Sequence, residues 1–113
     1  MRMFAALTGA VAVVLAAWPL AAQTVQAEVA SARQAQLRNM VAQDCGSCHG
    51  LTMKGGLGPP LRPADLAGKD VDGLVDTILY GRPGTPMPPW DFEISRDEAA
   101  WLVERLLKGE TGG

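Results

Sequence analysis

The sequence predicts a small all-α domain of three or more helices joined by stiff loops. Three segments place apolar residues at helical spacing, and segments rich in Gly and Pro separate them. No segment shows the alternation of polar and apolar residues that is typical of a half-buried strand. The chain has 113 residues, a formal net charge of -2 and 48% hydrophobic residues, which indicates one globular domain and excludes a disordered or nucleic-acid-binding chain.

The N-terminal segment is typical of an export signal. Met1 and Arg2 precede residues 3–17, which are apolar and carry no charge. We expect cleavage after Ala22, with Ala27 as the second candidate. An uncleaved anchor is the alternative, because about twenty apolar residues can span a bilayer. The resulting prediction is an exported, periplasmic protein with no stable membrane association after cleavage.

The first helix is predicted over residues 25–44, which contain no Gly or Pro and lead directly into the next motif. Residues 50–63 hold four Gly and three Pro and are therefore predicted as a loop. The domain organisation expected from these patterns is a signal peptide at 1–22, a helical lead-in at 23–43 and the domain proper at 44–109.

Two further helices follow. Residues 71–80 carry an apolar stripe and an acidic first turn, with Gly81 at the expected end. Residues 82–90 contain four prolines around one methionine, which predicts a stiff, extended loop. The last helix begins at a capping box over 95–98 and ends before Gly109.

Both cysteines and the only histidine of the chain stand together as Cys45, Cys48 and His49, a C-x-x-C-H sequence. On a helix these positions are i, i+3 and i+4 and face one way. Covalent haem attachment uses all three, because two thiols bond the porphyrin vinyl groups and the imidazole binds iron. The pattern predicts one haem c.

Three other uses of these residues are disfavoured. A structural zinc site needs four ligands, usually in two separated pairs, and the chain has no second pair. A thioredoxin-like dithiol belongs in a βαβ context that the sequence does not show. A disulfide between residues so close together closes a very short loop and would stabilise the fold little.

The second axial ligand of the iron is predicted to be Met87. Met40 lies on the first helix, on the wrong side of the attachment site. Met53 follows His49 by four residues, an extended reach of about 13 Å that would have to pass round the macrocycle. Met87 has ample chain and three neighbouring prolines that stiffen it, although a methionine that only fills core space is the alternative.

Groups around the iron ligands can also be predicted. A metal-binding imidazole generally donates its other N–H to a fixed acceptor, and the Pro59 carbonyl in the turn after the motif is our choice. Trp90, Phe92 and Tyr80 are expected to pack against the edge of the haem. Trp101 is expected at a helix–helix contact.

The string CGSCHG, followed by GGLGPPL, GRPGTPMPPW and a last helix with a WLV core, resembles the small class I cytochromes c. Within them it is most similar to the NirC-type cytochromes encoded with cytochrome cd-type nitrite reductase. The resemblance implies Cys45 and Cys48 as thioether anchors, His49 as proximal ligand, Met87 as distal ligand and Pro59 as the acceptor for the His49 N–H. It also implies a class I cytochrome c fold, in which the first and last helices cross and the rest of the chain wraps around one haem.

The function implied by this resemblance is that of a monomeric, non-enzymatic one-electron carrier that donates to cytochrome cd-type nitrite reductase in denitrification. A role in maturation or delivery of the nitrite reductase haem is the alternative within the same family. A haem sensor or peroxidase-like protein with an exchangeable sixth ligand is another, but it needs a polar distal group. Arg62, Lys69 and Arg82 are candidates for a basic docking rim, with ordinary solubilising charges as the alternative.

Overall fold

The computed structural model describes residues 29–111, and the predicted signal peptide with both candidate cleavage sites lies outside them. The described part of the chain consists of helices and loops without a strand, which confirms the all-α prediction. Between residues 29 and 111, no helix is long and apolar enough to cross a membrane.

A single helical run leads into and through the C-x-x-C-H motif. It has three parts: α1 (Ser31–Met40), a π-helical turn (Val41–Cys45) and α2 (Gly46–His49). The prediction of a helix that leads directly into the motif is confirmed over residues 31–44, whereas Ala30, which it included, is extended, with a ψ of 143°. The helix continues beyond the predicted end to His49. Gly46 lies inside the helix, where glycine costs about 1 kcal/mol relative to alanine but does not forbid helix.

Three more helices follow: α3 (Pro63–Leu66), α4 (Val71–Tyr80) and α5 (Arg96–Lys108). The bounds of α4 and α5 confirm the predictions, and the capping box at the start of α5 is formed in both directions between Ser95 and Glu98. The sequence predicts a loop as far as residue 63 and no helix over the residues of α3 that follow. The four residues of α3 are too few for a periodic signal, and Pro63 occupies the first helical position, where proline is favoured.

One apolar core joins these elements. α5 packs against α4 and α3, and the segment from α1 to the π-helical turn lies on the same core. Burying such side chains contributes about 1.5–3 kcal/mol each for the larger ones. The buried residues are Leu37, Met40, Val41, Met53, Leu66, Val75, Leu79, Ile94, Ala99, Leu102, Val103 and Leu106.

The first and last long helices are also joined by side-chain contacts. Arg33 on α1 donates to the Glu98 carboxylate on α5 at 2.6 Å. Two guanidinium groups lie over the ring of Trp101 on α5, that of Arg38 at 5.5 Å and that of Arg105 at 5.0 Å from the ring centroid. Arg38 belongs to α1, which confirms Trp101 as a helix–helix contact.

Two of the segments between these helices carry the rest of the site. Residues 50–62, here called the proximal loop, connect α2 to α3. Residues 82–90, here called the distal loop, follow α4.

Candidate functional site

An apolar cleft lies where the first helical run, the two loops, α4 and α5 meet. Three of the sequence-predicted site residues, Cys45, His49 and Met87, line it together although they come from two distant parts of the chain. The other lining residues are Met40, Val41, Leu61, Ile78, Trp90, Ile94, Leu102 and Leu106. The cleft therefore offers a thiol, an imidazole and thioethers in otherwise apolar surroundings.

The His49 ring is held by the backbone of the proximal loop. Its Nδ1 lies 2.7 Å from the Pro59 carbonyl oxygen. A carbonyl oxygen can only accept a hydrogen bond, so Nδ1 carries the hydrogen and donates it. In the neutral imidazole this tautomer leaves Nε2 without a hydrogen, and Nε2 can then bind a metal ion.

Glycines allow the proximal loop to approach this ring. A Cβ added at Gly58 would lie 2.8 Å from Nδ1 and Cε1 of His49, closer than any ordinary contact. A Cβ at Gly56 would lie 2.8 Å from the Cys48 carbonyl oxygen, which instead accepts the Gly58 N–H at 2.8 Å. Sequence reasoning did not identify Gly58 as a site residue, although the G-x-G-P spacing was a signal for it.

The two thiols are both half-buried and are not bonded to each other. Burial, with a smaller contribution from the Asp44 carboxylate, raises the pKa of the Cys45 thiol to about 11. In reactive dithiols the pKa of the attacking thiol is instead lowered, so that the thiol is partly ionised to the thiolate at neutral pH. This environment therefore disfavours a thioredoxin-like role. Cys48 stands one helical turn after Cys45 and is not among the residues that line the cleft.

Met87 is fixed by short-range hydrogen bonds within the distal loop. Its carbonyl accepts from the Arg82 N–H at 3.2 Å, and its own N–H points to Thr85 Oγ1 at 3.4 Å. The Thr85 hydroxyl in turn donates to the Arg82 carbonyl at 2.6 Å. Gly81 has a φ of 69°, and a Cβ there would lie 2.7 Å from the Met87 carbonyl oxygen. The loop can therefore close onto the end of α4 only with glycine at this position.

The other two methionines of the described region take different places. Met53 is buried in the core at 1% exposure and does not line the cleft. Met40 does line it, together with Val41 and Cys45 of the same helical run, and its exclusion as an iron ligand stays a prediction. Met40 and Cys45 are five residues apart, the spacing of the i to i+5 hydrogen bonds in the π-helical turn that joins them.

Of the aromatic side chains expected at the edge of the haem, only Trp90 lines the cleft. Tyr80 and Phe92 are not among the lining residues and are 59% and 76% exposed, and their packing against the edge of the haem stays a prediction. Phe92 instead stacks on Trp90, with ring centroids 6.0 Å apart and an interplanar angle of 19°.

The donor set fits a haem better than a metal ion held by protein side chains alone. In the part of the chain that the structure describes, no three His, Cys, Asp or Glu side chains are grouped to hold a metal ion. A haem needs only one or two axial ligands and apolar surroundings, and the cleft provides an imidazole and thioethers in that setting.

The chain is similar in sequence and fold to known proteins. The family model described as "Cytochrome C oxidase, cbb3-type, subunit III" matches residues 32–104. The chain is 62% identical over 78 residues to cytochrome c55X of Pseudomonas aeruginosa, an alignment that covers 69% of this chain and 66% of that protein. Cytochrome c55X of Stutzerimonas stutzeri is 50% identical over 95 residues, or 84% of each protein.

A solved structure of a c-type cytochrome NirC is 57% identical and has a TM-score of 0.72, with 74% of this chain and 99% of that chain covered. A partial match also exists to the much longer dihydro-heme d1 dehydrogenase of Pseudomonas aeruginosa, 35% identical over 80 residues and 16% of that protein. The matched region includes the C-x-x-C-H motif, the attachment sequence for one covalently bound haem c. The iron of such a haem accepts and donates one electron at a time. The chain therefore belongs to the small c-type cytochromes related to cytochrome c55X and NirC.

Proposed function

We propose that the chain is a one-electron carrier in which Cys45 and Cys48 form the thioether bonds to the haem. His49 is the proximal iron ligand and Met87 the distal one. The observation that carries this proposal is the convergence of Cys45, His49 and Met87 on one apolar cleft. With both His49 and Met87 bound to it, the iron would have no position open to a substrate, as a carrier requires.

The surrounding residues have defined tasks in this proposal. The Pro59 carbonyl fixes the tautomer and orientation of His49, which makes the imidazole a stronger electron donor to the metal. The distal loop holds Met87 through its own backbone and Thr85. The apolar lining keeps water out and disfavours additional positive charge, and these effects together with a thioether ligand raise the reduction potential.

The ligand set can be tested by the weak far-red absorption band from methionine sulfur to ferric iron. We expect the oxidised holo-protein to show this band and Met87→Ala to lose it. Met53→Ala is the matched control, because Met53 is buried away from the cleft, and it should keep the band. A band that survives in Met87→Ala would contradict the assignment of Met87.

We propose further that the carrier works as a monomer in the periplasm and donates electrons to cytochrome cd-type nitrite reductase. The likeness to NirC and the resemblance of the distal-loop sequence support this partner. Residues 1–22 support export, and expression with a c-type haem maturation system tests it. The mass of the recovered protein should equal the chain from Gln23 onward plus one haem, whereas a retained leader would contradict the cleavage after Ala22.

A second candidate function is participation in making the haem of the nitrite reductase. It is favoured by the partial match to dihydro-heme d1 dehydrogenase. A dehydrogenase withdraws two electrons from its substrate, so two molecules of a one-electron carrier would be reduced in each turnover. Mixing the oxidised cytochrome with that enzyme and its dihydro-haem substrate should then reduce the c-type haem at this stoichiometry. No reduction would remove this candidate and leave the donor function.

A further inference from the structure

The stacked aromatic pair connects the cleft to the protein surface. Trp90 lines the cleft, and Phe92 stacks on it while remaining 76% exposed. A single exposed apolar side chain is ordinary on a protein surface. This one differs because its ring is in direct contact with a residue that lines the cleft. Phe92 therefore offers a partner protein an apolar contact point next to the cleft.

The backbone holds this pair rigidly. The Trp90 N–H is shared between the carbonyls of Ile78 at 3.1 Å and Leu79 at 3.0 Å, and the Asp91 N–H bonds to Leu79 at 3.1 Å. The Ile94 N–H donates to the Trp90 carbonyl at 3.0 Å and closes the turn. Residues 90–94 are thus anchored to the end of α4, which fixes the backbone that carries Phe92.

The charges beside Phe92 are negative. Asp91 and Glu93 flank it, both are exposed, and neither takes part in an ion pair within residues 29–111. Arg33, whose guanidinium donates to the Glu93 carbonyl, is bonded to the carboxylate of Glu98. Arg96 at the start of α5 is likewise bonded to a carboxylate on α4. Both cations therefore already form ion pairs with carboxylates outside residues 91–93. The surface formed by residues 91–93 keeps the two negative charges of Asp91 and Glu93.

We propose that Phe92, Asp91 and Glu93 form the contact surface for a redox protein whose own surface has an apolar centre surrounded by Lys and Arg. Trp90 couples this surface to the cleft. The proposal rests on the proposed carrier function. In each encounter one electron leaves the haem of this chain and is gained by the haem or copper centre of the partner, and no bond forms or breaks. Of the basic rim expected from the sequence, Arg62 is bonded to Asp65 at 2.8 Å, whereas Lys69 and Arg82 take part in no ion pair within residues 29–111.

The first test locates where a cation binds. The reduced, 15N-labelled holo-protein is titrated with tris(ethylenediamine)chromium(III), a trivalent, paramagnetic probe that does not exchange electrons under these conditions. We expect amide line broadening centred on residues 91–93 and its loss in the double variant Asp91→Asn, Glu93→Gln. Asp72→Asn on α4 is the control and should leave the broadening in place. Broadening centred elsewhere, or unchanged in the double variant, would overturn the proposal.

The second test measures electron transfer through the aromatic contact. Tris(1,10-phenanthroline)cobalt(III) is a cationic, aromatic one-electron oxidant and serves as the probe. Phe92→Ala should lower its second-order rate constant about two- to tenfold, the factor that corresponds to one aromatic contact. Phe92→Tyr should retain the rate, and Leu57→Ala, equally exposed at 77% on the proximal loop, should leave it unchanged. Equal rates for Phe92→Ala and Leu57→Ala would refute the assignment.

The reduction potential is measured for every variant, so that a change in rate can be assigned to the contact surface only where the potential is unchanged. The outcomes then distinguish a failure of the contact surface from a failure of the carrier function. If the wild-type protein is oxidised rapidly but the Phe92 and carboxylate variants behave like wild type, the carrier function stands and the contact surface is wrong. If the protein lacks a methionine-ligated, reversibly reducible haem, the proposed function fails, whereas the binding of the chromium probe still reports on the surface.

Discussion

Replacing Gly58 by Ala tests how the protein holds its proximal ligand. The new Cβ would lie 2.8 Å from Nδ1 and Cε1 of His49. Comfortable contact between carbon atoms begins at about 3.5 Å, so the ring or the loop must move by roughly 0.7 Å. Gly58 does not have a positive φ, and alanine can therefore adopt its backbone conformation. The steric contact with the ring is the only strain that the substitution introduces.

The magnitude follows from the hydrogen bond that this movement disturbs. A displacement of about 0.7 Å takes the 2.7 Å contact between His49 Nδ1 and the Pro59 carbonyl to or beyond the limit of a good hydrogen bond. Overpacking of this kind costs about 1–3 kcal/mol in the free energy of unfolding, and the lower entropy of the unfolded alanine variant offsets about 0.4–1 kcal/mol of it. We therefore expect a net loss of about 1–2 kcal/mol.

The same change should alter the reduction potential. An imidazole that no longer donates to Pro59 is a weaker electron donor, so the ferric state loses more stability than the ferrous state. A difference of about 1 kcal/mol between the two states corresponds to roughly 40 mV, and the potential should rise by about that amount.

Spectroelectrochemical titration measures the potential, and guanidinium unfolding followed by the haem absorption measures stability. Gly73→Ala on α4 is the matched control, because it adds the same methyl group at a residue that does not line the cleft, 3.2 Å from the Asp70 carboxylate that caps the helix, and alanine favours helix by about 1 kcal/mol. A Gly58→Ala protein with wild-type potential and undiminished stability would refute this account of the loop.

The remaining predictions concern the cleft and the helix contacts. Met40→Leu should keep the far-red band and shift the potential only slightly, because we assign Met40 to the lining and not to the iron; loss of the band would reverse that assignment. Gly81→Ala should displace the distal loop and speed carbon monoxide binding to the reduced protein at least about tenfold, since its Cβ would lie 2.7 Å from a loop carbonyl. Gly84→Ala has the same kind of backbone strain at a φ of 80° with nothing within 4 Å, and it should leave carbon monoxide binding slow. The hydrogen bond from Arg33 holds the pKa of the Glu98 carboxyl below its ordinary value of 4.5, so this contact stabilises the fold above that pH and is lost as the pH falls through the folded-state pKa. Glu98→Gln should therefore cost about 0.5–1 kcal/mol at pH 7 and much less near pH 3 in denaturant titrations, and an equal cost at both pH values would contradict the ion pair.

Local patterns in the sequence were enough to predict α4, α5 and the haem motif. The capping box of α5 and the stop at Gly81 depend on neighbouring residues and are visible without a fold. Within the C-x-x-C-H motif, the spacing of a helix predicts that Cys45 and His49 share a face, and both line the cleft. The convergence of His49 and Met87 was predicted from chain length and stiffness, and both residues do line the cleft.

Features that depend on contact between distant segments were missed. Met40 lines the cleft directly before a π-helical turn, and such a turn has no composition that separates it from an ordinary helix. The role of Gly58 depends on the position of a ring nine residues earlier in the chain. The anchoring of residues 90–94 to α4 depends on backbone hydrogen bonds to Ile78 and Leu79, which no local periodicity reports.

Stopped-flow mixing of the reduced holo-protein with oxidised cytochrome cd-type nitrite reductase tests the proposed function most directly. The c-type haem spectrum of this chain is followed with and without nitrite. We predict fast oxidation that saturates with reductase concentration and continues through many turnovers when nitrite is present. Slow oxidation by the reductase, alongside rapid oxidation by unrelated redox proteins, would contradict the assignment of this partner.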